Sequence, residues 1–235
     1  MTRDDTTAQF RARIRERVDL AKRLAQGECG GTYGDAMLIL SAILSGLATD
    51  MWPGERRDRR RFVEIWSTCS DPGLNTNLIS VPFLVEALER EGDYDLFEMV
   101  RATRPEAFPS SKSYTLVVTG QEVDQTEDEL VALDPRLTTK RLRRFSYGTL
   151  FYQHVRSGYT HEYHTTHLAS AFPMVSEPAS VSYVNMFEHS DNRRYRRIHF
   201  DVGWVAEIVE SVASSVVASG PIRSLADPET WWIDR

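Results

Sequence analysis

The stretch "TKRLRRFSYGTLFYQHVRSGYTHEY", residues 139–163, sets Leu142, Phe145, Thr149, Tyr152 and Tyr159 at steps of three, four, three and seven residues. That spacing lines one broad face of a helix. The remaining faces are cationic. Between Pro135 and Tyr159 the chain carries Arg136, Lys140, Arg141, Arg143, Arg144 and Arg156, with no Asp or Glu. Immediately upstream, "QEVDQTEDELVALD" (121–134) holds Glu122, Asp124, Glu127, Asp128, Glu129 and Asp134. A formal net charge of −6 argues against a general nucleic-acid coat. A polyanion, however, responds to the local field of a groove and not to the chain average.

Outward from this stretch the pattern stays helical. Residues 6–26 place Phe10, Ile14, Val18, Ala21 and Ala25 at helical spacing, and the glycines of "GECGGTYG" (27–34) end that helix. Residues 34–51 are apolar on nearly all sides and predict the central helix, broken at Pro53-Gly54. "RDRRRFVEIWSTC" (57–69) predicts an amphipathic helix burying Phe62, Ile65 and Trp66, with "RRDRRR" (56–61) as its solvated start. Ser80 is placed to cap "VPFLVEALERE", and "YDLFEMVRA" (94–102) predicts one more short helix. "YTLVVT" (114–119) predicts a short strand, and the acidic run has room for one or two helical turns. "ASVSYVNMFE" (179–188) and "RYRRIHFDV" (194–202) form a hairpin around "HSDNR", and "GWVAEIVESVASSVVASG" (203–220) is the last helix. The expected fold is mainly α: one helical-bundle domain over residues 1–235, with a small β-hairpin before the last helix. An irregular acidic and basic insertion falls at about 102–138.

Several classes drop out. Cys29 and Cys69 lie far apart without paired Cys/His spacing, which points to a reduced, cytoplasmic protein. The polar start "MTRDDTTAQF" is no signal peptide, and the apolar run 36–48 is short for a bilayer, so no membrane association is expected. The glycines at 27–34 follow a helix instead of a strand, and no G-x-S-x-G elbow occurs. Glu127, Asp128 and Glu129 are contiguous, point in different directions and are expected to solvate.

"QHVRSGYTHEYHTTH" (153–167) contains four of the six histidines. His161, His164 and His167 recur every three residues, so they drift around a helix, whereas helical zinc ligands favour a spacing of four. No metal and no other cofactor is expected, and a histidine metal site stands as the third reading after the two given below. Arg156 and His161 form R-x4-H, with the polar Ser157 after the arginine. On this motif, set late in a helical chain behind a basic stretch, the sequence resembles the HEPN superfamily over about 6–101 and 139–219. The resemblance implies a HEPN-like helical bundle, a homodimer with two motifs facing each other, and metal-independent cleavage of RNA. It also implies a toxin or anti-phage defence role, with a possible protein partner in that system. A catalytically inactive HEPN-type module docking a partner enzyme is the alternative.

The pair suits the chemistry. A ribose 2′-hydroxyl attacking its own phosphate needs a group that moves a proton, and imidazole with an unperturbed pKa near ~6.5 does so. It also needs a fixed charge on the phosphoryl oxygens, and a guanidinium supplies a planar fork of donors. His161 takes the first role and Arg156 the second; His154, seven residues before His161 and on its face, is a weaker helper. Lys140, Arg141, Arg143 and Arg144 are candidate RNA-backbone contacts, or else answer the acidic segment. On a regular helix an offset of five puts Arg156 and His161 about 140° apart. A bend at Gly158, or a second copy of the chain, is therefore required. The plain alternatives are a salt-bridged helix arginine and a histidine at a helix C-terminus. Trp231 and Trp232 either pack back on the bundle or anchor a partner.

Overall fold

A computed structural model describes residues 3–53, 58–108, 117–172, 179–188 and 193–219. The start of the expected strand at 114–116, the turn at 189–192 and Trp231 and Trp232 lie outside the described residues. Helices dominate, with one small three-stranded antiparallel sheet.

The N-terminal helix α1 (Arg3–Ala25) packs on α2 (Tyr33–Met51), and both pack on the last helix, α11 (Val202–Ser219). α2 opens with a capping box: Thr32 Oγ1 accepts from the Asp35 N–H at 3.3 Å, and Asp35 accepts from the Thr32 N–H at 2.9 Å. Met37, Leu40, Leu44 and Leu47 of α2 are buried, as the all-round apolar pattern of 34–51 required. Taken whole, α2 and α11 are long and apolar enough to cross a bilayer by length and composition, although the apolar run 36–48 alone is not. About half of that window in α2, and 44% of it in α11, is buried inside the bundle.

α3 (Asp58–Thr68) lies between α2 and the long helix that starts at Tyr147, and buries Phe62, Ile65 and Trp66 as expected. Its start is not the wet surface expected from the arginine run: Arg60 is 3% exposed and Arg61 9%. Burying Phe62 or Trp66 is worth roughly 1.5–3 kcal/mol each, and α3 turns to capture that gain, carrying the flanking arginines inward. α4 (Val81–Glu91) starts at Ser80, whose Oγ accepts from the Phe83 N–H at 3.4 Å, and stops at Gly92 with φ 74°. α5 (Tyr94–Ala102) packs against it.

The acidic and basic middle is less irregular than its composition suggests. β1 (Val117–Thr119) joins the hairpin of β2 (Val181–Glu188) and β3 (Arg193–Phe200) as an outer strand, in the order β1-β2-β3. The registers run Val118 opposite Tyr183 and Tyr183 opposite Ile198. The acids then supply two short helices, α6 (Gly120–Val123) and α7 (Glu127–Leu133), each with a Thr–Glu capping box. Between them Asp124 is buried. Its carboxylate accepts from the Val81 N–H at 3.0 Å, the Tyr147 hydroxyl at 2.5 Å and the Tyr183 hydroxyl at 2.6 Å. One side chain thus joins α4, the middle strand and the start of the long helix at Tyr147.

Residues 139–163 are not one helix. α8 (Thr139–Leu142) passes through a 3₁₀ turn (Arg143–Phe145) and breaks at the extended Ser146. The break is set by sideways pairing: Phe145 O accepts from the Ser80 N–H at 2.9 Å, and the Tyr147 N–H donates to Leu78 O at 3.2 Å. α9 (Tyr147–Phe151) then runs without interruption into a π-turn (Tyr152–Arg156) and α10 (Ser157–Glu162). Tyr147, Tyr152 and Tyr159 are core residues of this long helix.

Gly158 faces the chain returning over α10. A Cβ there would collide with His164 O and crowd the Thr166 N, because Thr166 N–H donates back to His154 O at 3.0 Å. Gly158→Ala is expected to destabilise the fold by about 1–3 kcal/mol, read as a lowered urea midpoint. An unchanged midpoint would show that the 163–166 crossing gives way freely.

Candidate active site on the long helix

The π-turn closes with the Ser157 N–H on Tyr152 O, five residues back. Such single wide turns inside α-helices mark functional sites frequently. Phe151 and Tyr152 are pinned on α3: Phe62 lies 6.1 Å from the Phe151 ring and 5.3 Å, edge-on, from Tyr152, while Trp66 is 4.8 Å from Phe151. The extra residue in the turn therefore sets the direction in which Arg156 and α10 leave it.

Arg156 leaves the turn toward α3. Its Nη2 donates to Asp58 Oδ2 at 2.6 Å and its Nη1 to the Tyr152 hydroxyl at 3.1 Å. The same hydroxyl donates to Asp58 Oδ2 at 3.1 Å, closing a three-membered ring of contacts. The guanidinium carbon lies 4.7 Å from the Tyr152 ring centre, within cation–π range. A guanidinium carries five N–H donors; two are used here, and the other three meet no protein acceptor among the described residues. The Arg156 side chain is 17% exposed, held but not sealed.

His161 sits exposed in the last turn of α10, with no hydrogen-bond partner among the described residues. From Arg156 onward the helix is regular, so the two side chains leave it about 140° apart. The bend expected at Gly158 is absent; the distortion lies one turn earlier, before Arg156, and does not bring the pair together within one chain. α10 ends at Tyr163 in the left-handed region (φ 59°), where its hydroxyl donates to Asp35 Oδ1 at 2.7 Å. That contact fastens the His161 end of α10 to the start of α2.

His154 points inward. Its Nδ1 is 2.9 Å from Thr166 Oγ1 and its ring lies 5.9 Å from Phe83. Burial, with a smaller push from His167, brings its pKa down to about 4, so it is neutral near pH 7 and has no proton to give there. His164 is exposed, its Nδ1 2.6 Å from Thr165 O and its Nε2 3.4 Å from the Glu162 carboxylate. Among the described residues no three His, Cys, Asp or Glu side chains converge as metal ligands do.

The four candidate backbone contacts are mostly engaged. Arg141 reaches Glu91 at 2.7 Å and Asp93 at 3.1 Å, Arg143 reaches Glu127 at 2.9 Å, and Arg144 lies 3.6 Å from Glu91. Lys140 makes no ion pair among the described residues. The basic stretch thus answers acids of α4, of the turn before α5 and of α7.

Sequence reasoning missed Asp58 and Tyr152 as partners of Arg156, and Tyr163 and Asp35 as the anchor of α10. Asp58 and Arg156 are 98 positions apart, and no local sequence pattern links them. Comparison of the chain with protein-family models, with curated proteins and with solved structures finds no match.

Two buried groups titrate in opposite senses. Burial pushes the Asp124 carboxyl up to about 7, so between pH ~4 and ~7 the native state binds more protons than the unfolded chain and stability falls as pH rises. His154 is displaced downward, and burial lowers His199 too, so their contribution is lost as pH falls below ~6.5. In wild type these contributions oppose each other over this window. Asp124→Asn should unmask an acid-side loss on the order of 1–3 kcal/mol, and His154→Gln a loss on the alkaline side. Denaturant midpoints measured at pH ~4.5 and ~7, near the two ends of the window, decide it; parallel profiles for all three proteins would refute the assignment.

Proposed function

We propose that this chain is a cytoplasmic, HEPN-type, metal-independent endoribonuclease that acts as a homodimer, in a toxin or anti-phage defence role. The observation that carries it is Arg156. A half-buried guanidinium, fixed by Asp58 and Tyr152 and keeping three N–H donors open, suits an incoming phosphate. His161 adds an accessible imidazole one turn on.

In the proposed reaction the ribose 2′-oxygen attacks the adjacent phosphorus while its proton passes to an imidazole. The P–O5′ bond breaks, the 5′-oxygen takes a proton, and a 2′,3′-cyclic phosphate and a 5′-hydroxyl result. Arg156 holds the negative charge that builds on the non-bridging oxygens. Because Arg156 and His161 of one chain diverge, the pair that meets at one phosphate comes from two copies.

A second assignment, a catalytically inactive interaction module, is favoured by a specific observation. Asp58 already pairs with Arg156, and Arg141, Arg143 and Arg144 are answered by acids within the chain.

Total tRNA and a generic RNA, incubated in EDTA with wild type and His161→Ala, separate the two. The ribonuclease is expected to cut, to leave cyclic phosphate ends, and to lose on the order of 10²–10⁴-fold in rate with His161→Ala. Cleavage by a strict monomer, seen by sedimentation, would remove the two-copy site. A folded dimer that leaves every RNA intact would favour the interaction module.

A further inference from the structure

A cavity of about 510 Å³ lies where the end of α3, residues 72–79, the start of α7 and the break at Arg143 and Ser146 meet. Six hydroxyls line it, and each has its single proton committed inside the protein. Ser67 donates to Val63 O at 2.9 Å, Thr68 to Glu64 O at 2.7 Å and Ser70 to Trp66 O at 2.7 Å. The Thr76 hydroxyl, 2.6 Å from that of Ser70, is then the donor of that pair. Thr126 donates to Glu129 Oε2 at 2.8 Å, and Ser146 to Arg143 O at 3.0 Å. Asn77 gives an amide N–H to Ser67 O at 3.1 Å, and its Oδ1 accepts from nothing among the described residues. A hydroxyl whose proton is used still offers lone pairs. The polar side chains of this wall therefore accept far more than they donate.

Charge runs in the same sense. Glu64, Glu127 and Asp128 line the cavity against one cation, Arg143, which donates to Glu127 at 2.9 Å. Glu64 belongs to α3 and Asp128 to α7, so carboxylates come from two separate elements. Leu78 and Ile79 add apolar surface. An anion would meet carboxylates and lone pairs here. An ammonium group brings three donors, no acceptor and the opposite charge.

We propose that this cavity binds a small aliphatic polyamine, an alkyl chain carrying two or more ammonium groups. Glu64 and Asp128 receive the ammonium groups, the spent hydroxyls and Asn77 Oδ1 accept their remaining protons, and Leu78 and Ile79 cover the methylenes. The volume falls within the roughly 300–1,000 Å³ of small-molecule sites. Neither Arg156 nor His161 lines the cavity, so the site stands or falls apart from the ribonuclease assignment.

Calorimetric titration of the full chain at physiological ionic strength compares spermidine, putrescine and the neutral diol of putrescine's chain length. Spermidine is expected to bind most tightly and the diol not at all. Asp128→Asn keeps the shape and removes the charge, and should weaken spermidine about tenfold. Glu64→Gln should do the same. Asp19→Asn, on α1 and away from the cavity, should bind as wild type. Asp128 is exposed, so its variant carries the test even where the buried Glu64→Gln fails to fold.

Absence of spermidine binding overturns the site, as does wild-type affinity in Asp128→Asn. Equal binding of the diol would show that charge and donors do not select the ligand, and an equal loss in Asp19→Asn would reduce the effect to diffuse attraction by an acidic surface; either result refutes the proposal. An oligolysine peptide that binds through Asp128 while spermidine does not would replace the free amine with a partner's lysine and refute it too. RNA cleavage, present or absent, leaves all these outcomes unchanged.

Discussion

A carboxyl group placed where water cannot reach it sets the frame of this molecule. Asp124 would be costly to bury alone, since desolvation of an ionised carboxylate amounts to several kcal/mol or more. Three donors answer it: the backbone of Val81 at the first turn of α4, the hydroxyl of Tyr147 at the first residue of the long helix, and the hydroxyl of Tyr183 on the middle strand. Each comes from an element distant in sequence. A side chain that must find all of them admits few arrangements of helix, strand and loop, so the cluster acts as a register mark for the fold. Its pKa near 7 records the competition, with burial favouring the protonated acid and the hydroxyl donors favouring the carboxylate.

The long helix begins at that cluster, and the placement of Arg156 depends on one extra residue in its second turn. An unbroken α-helix from Tyr147 would keep strict i→i−4 bonding through Arg156. Instead Phe151 is caught on Phe62 and Trp66 of α3 and Tyr152 on Phe62, and the Ser157 N–H reaches back to Tyr152 O. Aromatic packing of this kind is worth more than the weakened hydrogen bonding of a single wide turn. The same turn delivers Arg156 to Asp58 and lays it over the Tyr152 ring, so the core packing of α3 and the placement of its charged first residue are one arrangement.

Helices were legible in the sequence wherever an apolar face repeats, and the start of α4 from the cap at Ser80, whereas the caps at Thr32 and Gly92 went unread. The hairpin was legible from its β-branched and aromatic runs. Its third strand was half legible: "YTLVVT" reads as a strand, but nothing local says that Val118 pairs with Tyr183. The acid–base segregation of 121–145 read as charge pairing or as an RNA track, and the ion pair of Arg143 with Glu127 spans that segment as the first option requires. Asp124 was not legible, because a buried acid inside a run of six looks like its exposed neighbours. Arg60 and Arg61 failed for the converse reason: their burial is decided by Phe62 and Trp66 beside them and not by their own polarity. The π-turn left no local trace, since it arises from contacts with α3.

Geometry then constrains how the proposed chemistry can be housed. A reacting phosphate needs its proton carrier and its charge clamp within roughly 3–3.5 Å of the atoms they serve. Arg156 leans inward against α3, and His161 stands outward beyond a regular turn of α10 whose end is tied to α2 through Tyr163 and Asp35. Neither can swing toward the other without breaking one of these ties, and Gly158 leaves the returning chain no slack at the point between them. Within one chain the guanidinium and the imidazole are therefore held apart by the same contacts that hold each in place. In the proposed homodimer a two-fold axis would resolve the conflict without moving either group, setting the clamp of one copy against the outward imidazole of its partner. The rigidity that separates the pair in one chain would then serve as the preorganisation of the proposed pair in two.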